Sequence, residues 1–268
     1  MSSSTRAHRR LLSVLGSSAA ATALTLGLVA ATGPAGAQPP GPVHAGSVYG
    51  WGKPQTNYTF VGRLPRHQWQ TRGPGTVRNQ HGMLTLNTAN HGTLSAKQVT
   101  RGHDVGRWEI RLRSRQYGGG HHSYRVMTEL VPAGDRKQYC GAKNVALETY
   151  VPHHHRASHY IRSRPDHRYL AHKRLTLHDD QWHVFAVEVT HRRISWFVDS
   201  HVISTEKRRD ALTGVPFAVR FTMKGVHGAR MDRSRMQMDW LRYWTLERPN
   251  QRSTAAPAPT PGTYRQGC

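Results

Sequence analysis

The sequence predicts an all-β fold, a single antiparallel β-sandwich. Three observations carry this reading. Short runs alternate apolar with polar residues, turn-forming clusters separate the runs, and no stretch keeps a helical or heptad period. At 268 residues the chain has room for one large β domain with a real hydrophobic core. Candidate strands fall in order at 83–87, 107–115, 122–131, 144–150, 183–190, 193–198, 216–223 and 236–246. Successive side chains of a strand point to opposite faces. Trp108, Ile110 and Leu112 therefore share one face, and Arg107, Glu109, Arg111 and Arg113 the other. Phe217, Val219 and Phe221 repeat the pattern. Gly and Pro clusters at 72–75, 118–120, 132–135 and 225–228 supply the turns between runs.

The ends of the chain read differently from its middle. Arg6, Arg9 and Arg10 precede an apolar stretch from Leu11 to Ala31, and Ala35-Gly36-Ala37 supplies a small-x-small site. That is the layout of a secretory signal peptide over residues 1–37, with Arg9-Arg10 also resembling part of a twin-arginine signal. The expectation is a secreted, extracellular protein. Residues 38–56 are Gly/Pro-rich and read as a flexible lead-in, 57–248 as the sandwich, and 249–268 as a Pro-rich tail of extended linker type. No run after the leader approaches the ~18 apolar residues of a spanning helix, so no transmembrane segment is expected in the mature chain. Of two cysteines, Cys140 and Cys268, an oxidising compartment would permit a disulfide; a free or intermolecular thiol at the tail is the alternative.

Composition narrows the partners. Lys and Arg total 38 against 15 Asp and Glu, a formal charge of +23. No RNA-recognition, zinc-finger or helix-turn-helix pattern accompanies that surplus, so specific nucleic-acid binding is not expected. For an exported protein, an acidic polysaccharide or anionic cell-wall polymer is the expected target, because guanidinium groups match carboxylate, sulfate and phosphate. A cationic wall-binding protein without sugar specificity is the blander form of the same idea. Two cysteines exclude a Cys-based metal centre. His153, His154, His155 and His159 have ligand-like spacing, but Pro152 sets this His- and Arg-rich segment, with Arg156, Arg162 and Arg168, in a loop. No metal or cofactor is expected.

Several runs carry a family likeness. Asp180-Gln-Trp-His-Val-Phe-Ala-Val-Glu-Val-Thr190 followed by Ile194-Ser-Trp-Phe-Val-Asp199 resembles the paired strands of family-16 glycoside hydrolases. Gly106–Arg113 resembles the strand before their catalytic region, Met238–Trp244 their closing strand, and Gly82–Leu86 an early one. The resemblance spans roughly residues 58–247. It implies the concanavalin A-like jelly roll, two curved antiparallel sheets whose concave cleft takes a polysaccharide, as in laminarinases and lichenases.

The family's chemistry sits on one strand, in the pattern Glu-x-Asp-x-(x)-Glu. Residues two apart share a strand face, and the outer two lie about 13 Å apart at the backbone. Strand curvature and converging side chains bring the carboxyls toward the ~5–5.5 Å of a retaining pair, one nucleophile and one acid/base. Here the strand in that position is Asn144-Val-Ala-Leu-Glu-Thr-Tyr150. By the shorter spacing Asn144 stands at the nucleophile position and Ala146 at the middle one, leaving only Glu148, at the acid/base position. An amide cannot form the glycosyl ester by the usual route. Glu129 lies near a position where the family often has a cleft-facing Trp, so Glu129 and Glu148 form the candidate relocated catalytic pair; an ion pair of Glu129 with an arginine such as Arg125 is the plainer alternative. Asn144, Tyr124, Tyr150, His122, Arg125 and His183 complete the candidate substrate-binding set. Most Trp residues lie inside strands, where core packing is the default. Two functions remain in view: a binding protein that keeps the cleft and has lost hydrolysis, and an endo-acting hydrolase using Glu148 with Glu129.

Overall fold

A computed structural model of the protein describes residues 43–134, 142–163, 165–212 and 214–265. Cys140, Cys268 and residues 1–37, expected as a leader, lie outside them. Sixteen strands, numbered in chain order, form two eight-stranded sheets. Across the first run β13 (His201–Glu206), β12 (Ile194–Val198), β11 (His183–Val189), β6 (Gly106–Gly118), β15 (Arg233–Trp244), β4 (Met83–Thr88) and β3 (Gly75–Gln80), with β1 (Thr56–Tyr58) also paired to β15. Across the second run β16 (Thr260–Thr263), β10 (His167–Arg174), β9 (Arg156–Arg162), β8 (Val145–Tyr150), β7 (Arg125–Pro132), β14 (Phe217–Lys224), β5 (Leu94–Gln98) and β2 (Trp69–Arg72). Neighbouring strands pair antiparallel throughout. The expected β-sandwich is therefore the observed one, and each of the eight expected strands is present.

The core lies between the sheets. Trp108, Ile110 and Leu112 of β6, Phe185 and Val187 of β11 and Trp196 of β12 meet Val126 and Leu130 of β7 and Phe217, Val219 and Phe221 of β14. All are buried, and each such side chain removed from water is worth about 1.5–3 kcal/mol. Two side chains of the first sheet's side also reach across to the second: Trp196 Nε1 donates to the Ala146 carbonyl at 2.9 Å, and Ser114 Oγ accepts from the Tyr150 hydroxyl at 3.0 Å.

Three segments differ from expectation. The lead-in is packed: the short helix α1 (Ala45–Val48) and Tyr49 and Trp51 cover Ala186, Phe197 and Trp244 on the outer face of the first sheet. Trp244 Nε1 donates to the Gly52 carbonyl at 2.9 Å, which pins it there. The tail is extended, as its prolines require, but it is also ordered. The Pro257 carbonyl accepts from Ser204 Oγ at 2.7 Å, and β16 closes the β10 edge that would otherwise offer unpaired backbone groups. After Pro152 the loop covers only His153–His155; from Arg156 on, the segment with His159 forms strands β9 and β10. Its outward residues are so basic that the inward ones, Ala157, Ile161 and Tyr169, gave too thin an apolar signal to be read as a strand.

Candidate functional site

The outer face of the second sheet is where the family pattern should lie, and β8 decides what reaches it. Val145 pairs with Leu130, and Ala146 with Glu129, but Glu148 pairs with Thr128. One extra residue, Leu147, has been inserted opposite β7; two residues of a bulged strand then oppose one on its partner. The same irregularity separates Ala146 from Thr149 in the pairing with β9. Alternation restarts after the bulge. Thr128 lies between core residues Val126 and Leu130, so its partner Glu148 points inward with it, and Tyr150, paired with Val126, joins the core. Thr149, paired with outward-facing Met127, takes the outer position.

Core groups hold the bulge. The Ala146 carbonyl accepts from Trp196, and the Leu147 carbonyl from the His159 Nδ1. His159 is fully buried and packs against Phe185. Burial drops its pKa to about 4, more than the bond to Leu147 raises it, so the ring is neutral. By register Ala146 and Thr149 take outward positions on either side of the bulge, with Asn144 preceding them against Glu129, and none of the three is an acid. Glu148, expected as acid/base, is fully buried between the sheets, and neither of its oxygens has a hydrogen-bond partner in acceptable geometry among the described residues. Burial, with a smaller push from the Glu129 charge, raises its pKa well above the usual carboxylate range against weaker help from Thr128.

Glu129 does face outward, but it is committed. Its Oε1 accepts from Tyr160 OH at 2.5 Å and Asn144 Nδ2 at 3.1 Å, and its Oε2 pairs with an Arg220 guanidinium nitrogen at 2.6 Å. The partner is Arg220, across on β14, not Arg125. Burial alone would raise the pKa of Glu129; Arg220 and Tyr160 outweigh it, and the group is held below the ordinary range as a carboxylate. The Tyr160 hydroxyl, buried beside that charge, is pushed well up. The Arg162 guanidinium lies 4.7 Å from the centre of the Tyr160 ring. Glu129 and Glu148 thus lie on opposite faces of one sheet and do not form a pair on one face.

The rest of this face is cationic. Register places Arg125 opposite Lys224, Arg220 opposite Lys97, Arg162 opposite Arg168 and Arg156 opposite Arg174. Like charges directly opposed across strands are destabilising. Among the described residues Glu129 answers Arg220 of these pairs, and no ion pair takes Arg125, Lys224, Arg156, Arg174, Arg162 or Arg168. Sequence reading named Arg125, Arg156, Arg162 and Arg168 singly but missed Arg220 and the opposition of these cations across strands; the signal was the spacing Arg156, Ser158, Tyr160, Arg162, the outward positions of one strand.

The other expected site residues lie elsewhere, apart from Asn144 and Arg125. Tyr124 is buried in the core, its hydroxyl donating to the Ala89 and His91 carbonyls at 3.1 and 3.0 Å. Tyr150 is a core residue, as above. His183 belongs to the first sheet and is tied to Asp199 at 2.7 Å and the Thr176 carbonyl at 2.9 Å. His122 is exposed, in the segment before β7 that bridges to Met231. Among the described residues no group of three His, Cys, Asp or Glu is placed to hold a metal ion.

No protein-family model matches the sequence, and no curated protein matches it. Solved structures do match. The laminarinase from Rhodothermus marinus aligns with a TM-score of 0.58 at 16% identity, over 72% of this chain and 97% of its own. The fold is that of the family-16 glycoside hydrolases. The endo-β-1,3-glucanase from Pyrococcus furiosus gives a TM-score of 0.60 at 10% identity, covering 72% of this chain and 94% of that one. A non-specific endo-β-1,3(4)-glucanase from family GH16 gives 0.57 at 14%, covering 72% and 91%. At such identities the likeness speaks for the fold alone.

Proposed function

We propose that the protein binds a polysaccharide on the outer face of its second sheet and does not hydrolyse it by a retaining mechanism. The observation that carries this is the β8 bulge, which puts Ala146 and Thr149 outward, with Asn144 preceding them, and sends Glu148 inward. A retaining reaction needs a nucleophile and an acid on one face. Glu129 alone supplies a carboxylate there, and Arg220, Tyr160 and Asn144 already saturate it. The kinship in fold with glucanases supports a glycan as the ligand. The basic, apolar and small-residue order of residues 1–37 supports export, which would bring the protein to extracellular polymers.

The test pairs turnover with binding on the same samples. Release of reducing ends from β-glucans, galactans and acidic glycans should stay at the level of a no-protein control, while at least one of these polymers retards the protein in affinity electrophoresis. Turnover of any of them at ordinary hydrolase rates would overturn the proposal, as would the absence of binding to all.

A further inference from the structure

One row of the outer face has a charge pattern that no acid among the described residues answers. On the second sheet Thr222, Met127, Thr149, Ser158 and His172 pair in sequence across β14, β7, β8, β9 and β10. The next outward position along each of these chain segments is Lys224, Arg125, Val151, Arg156 and Arg174. Four of the five are cations, and all four are exposed. At about 4.8 Å between strands the row runs roughly 19 Å across the sheet. Arg125 is opposed directly to Lys224, and Arg156 to Arg174. None of the four takes part in an ion pair among the described residues.

From this row we infer that the glycan bound by the protein is a polyanion, laid across the strands along Lys224, Arg125, Arg156 and Arg174. The inference rests on the glycan-binding reading above and names the class of ligand. A neutral glycan would leave every opposed pair uncompensated. A chain carrying carboxylate, sulfate or phosphate groups at short intervals neutralises them successively, and each guanidinium offers two parallel N–H donors to such a group. Arg162 and Arg168, opposed one row beyond Tyr160, give a second point of attachment on the same face.

The test uses the full chain without its leader, and matched polymers: dextran against dextran sulfate, and polygalacturonate as the carboxylate arm. Binding to dextran sulfate, polygalacturonate or both at 50 mM salt, with neutral dextran and laminarin at least tenfold weaker, is the expected result; preference between the two anionic polymers identifies the anion. The variant R125Q/R156Q/R174Q/K224Q should bind at least tenfold more weakly, and the slope of log affinity against log salt should fall by about one for each cation removed. Its Tm should equal or exceed that of the parent, which shows that the loss is not unfolding. Equal binding of neutral and anionic polymers, unchanged in the variant, would overturn the inference and leave the glycan-binding proposal standing. Failure to bind any glycan would overturn both. Duplex DNA bound as tightly as the anionic glycans, with the same salt slope, would overturn the assignment of a glycan.

Discussion

The two outer faces of the sandwich use arginine in opposite ways. On the first sheet most of the arginines are answered by acids of the same sheet or its loops. Glu188, fully buried, takes Arg107 at 2.7 Å and Arg193 at 2.8 Å; Asp239 takes Arg111 at 2.6 Å; Asp180 gathers Arg113, Arg115 and Arg235 at 3.4, 3.2 and 2.5 Å. Trp182 lies between Arg111 and Arg113, 4.5 and 4.6 Å from its ring centre. On the second sheet, among the described residues, Glu129 answers Arg220, while the opposed pairs Arg125/Lys224, Arg156/Arg174 and Arg162/Arg168 enter no ion pair. Both faces obey the same strand alternation, so alternation cannot explain the difference. A face that closes its charges internally is part of the fold; a face that leaves them open is available to something outside.

The sharpest way to break this contrast is to treat both faces alike by substitution. Arg107→Gln should cost about 3 kcal/mol, because it removes the buried one of the two cations that compensate the fully buried Glu188 and leaves that charge to the partly exposed Arg193, and should lower Tm by on the order of 10 °C by calorimetry. A change below 1 kcal/mol would mean the first face is no more closed than the second. Acid should act on the scaffold behind the second face with comparable force. His159 is held neutral with a pKa of about 4, while an unfolded His takes its proton near 6.5. Its contribution is therefore complete above pH 6.5 and lost as pH falls toward 4, up to about 3 kcal/mol. Urea unfolding across that range checks it, and a His159→Asn variant should flatten the slope.

Smaller effects sharpen the comparison within the second face. Glu129→Gln should cost about 2 kcal/mol, less than a wholly buried pair, since Arg220 is 36% exposed. The carboxylate contribution is present above the ordinary Glu range and lost as pH falls below it, through the lowered pKa of the folded state. Denaturant midpoints at pH 7 and pH 3 should therefore converge for parent and variant at the lower pH. Arg156→Gln should be smallest, within about 0.5 kcal/mol and in the stabilising direction, because it removes one of two opposed like charges. A clear loss of stability there would mean that the pair has a structural partner after all.

The scaffold was more legible than the site, and the reason is local. Strands with an apolar inner row, such as β6 and β14, announce themselves by alternation, as do β11 and β12 through their near-continuous apolar character. β9 and β10 do not, because Arg and His are frequent at their outward positions, Tyr160 and Leu170 there break the polar row, and their inward residues include His159. Asn144 and Ala146 could be read as lost acids from the strand alone. Glu148 could not be placed, because its facing depends on one inserted residue held by Trp196 and His159, both distant in sequence or read as part of a loop. Shifting alternation by one residue sends a side chain to the other face. Tyr124 and His183 failed as site residues for a similar reason: their partners, the Ala89 and His91 carbonyls and Asp199, are set by packing that no short motif encodes.

The most direct test of the account is the stability of Glu148→Gln against pH, measured beside its glycan binding. A buried carboxyl whose pKa is raised binds its proton in the folded state after the unfolded chain has released it. Parent stability should then fall by about 1.4 kcal/mol per pH unit above the ordinary Glu range, until the raised pKa is reached. The Gln variant should lack that fall, exceed the parent in Tm at pH 8, and bind glycan as the parent does. A variant with the parent's pH profile but with glycan binding or turnover abolished would place Glu148 on the ligand face and contradict the account.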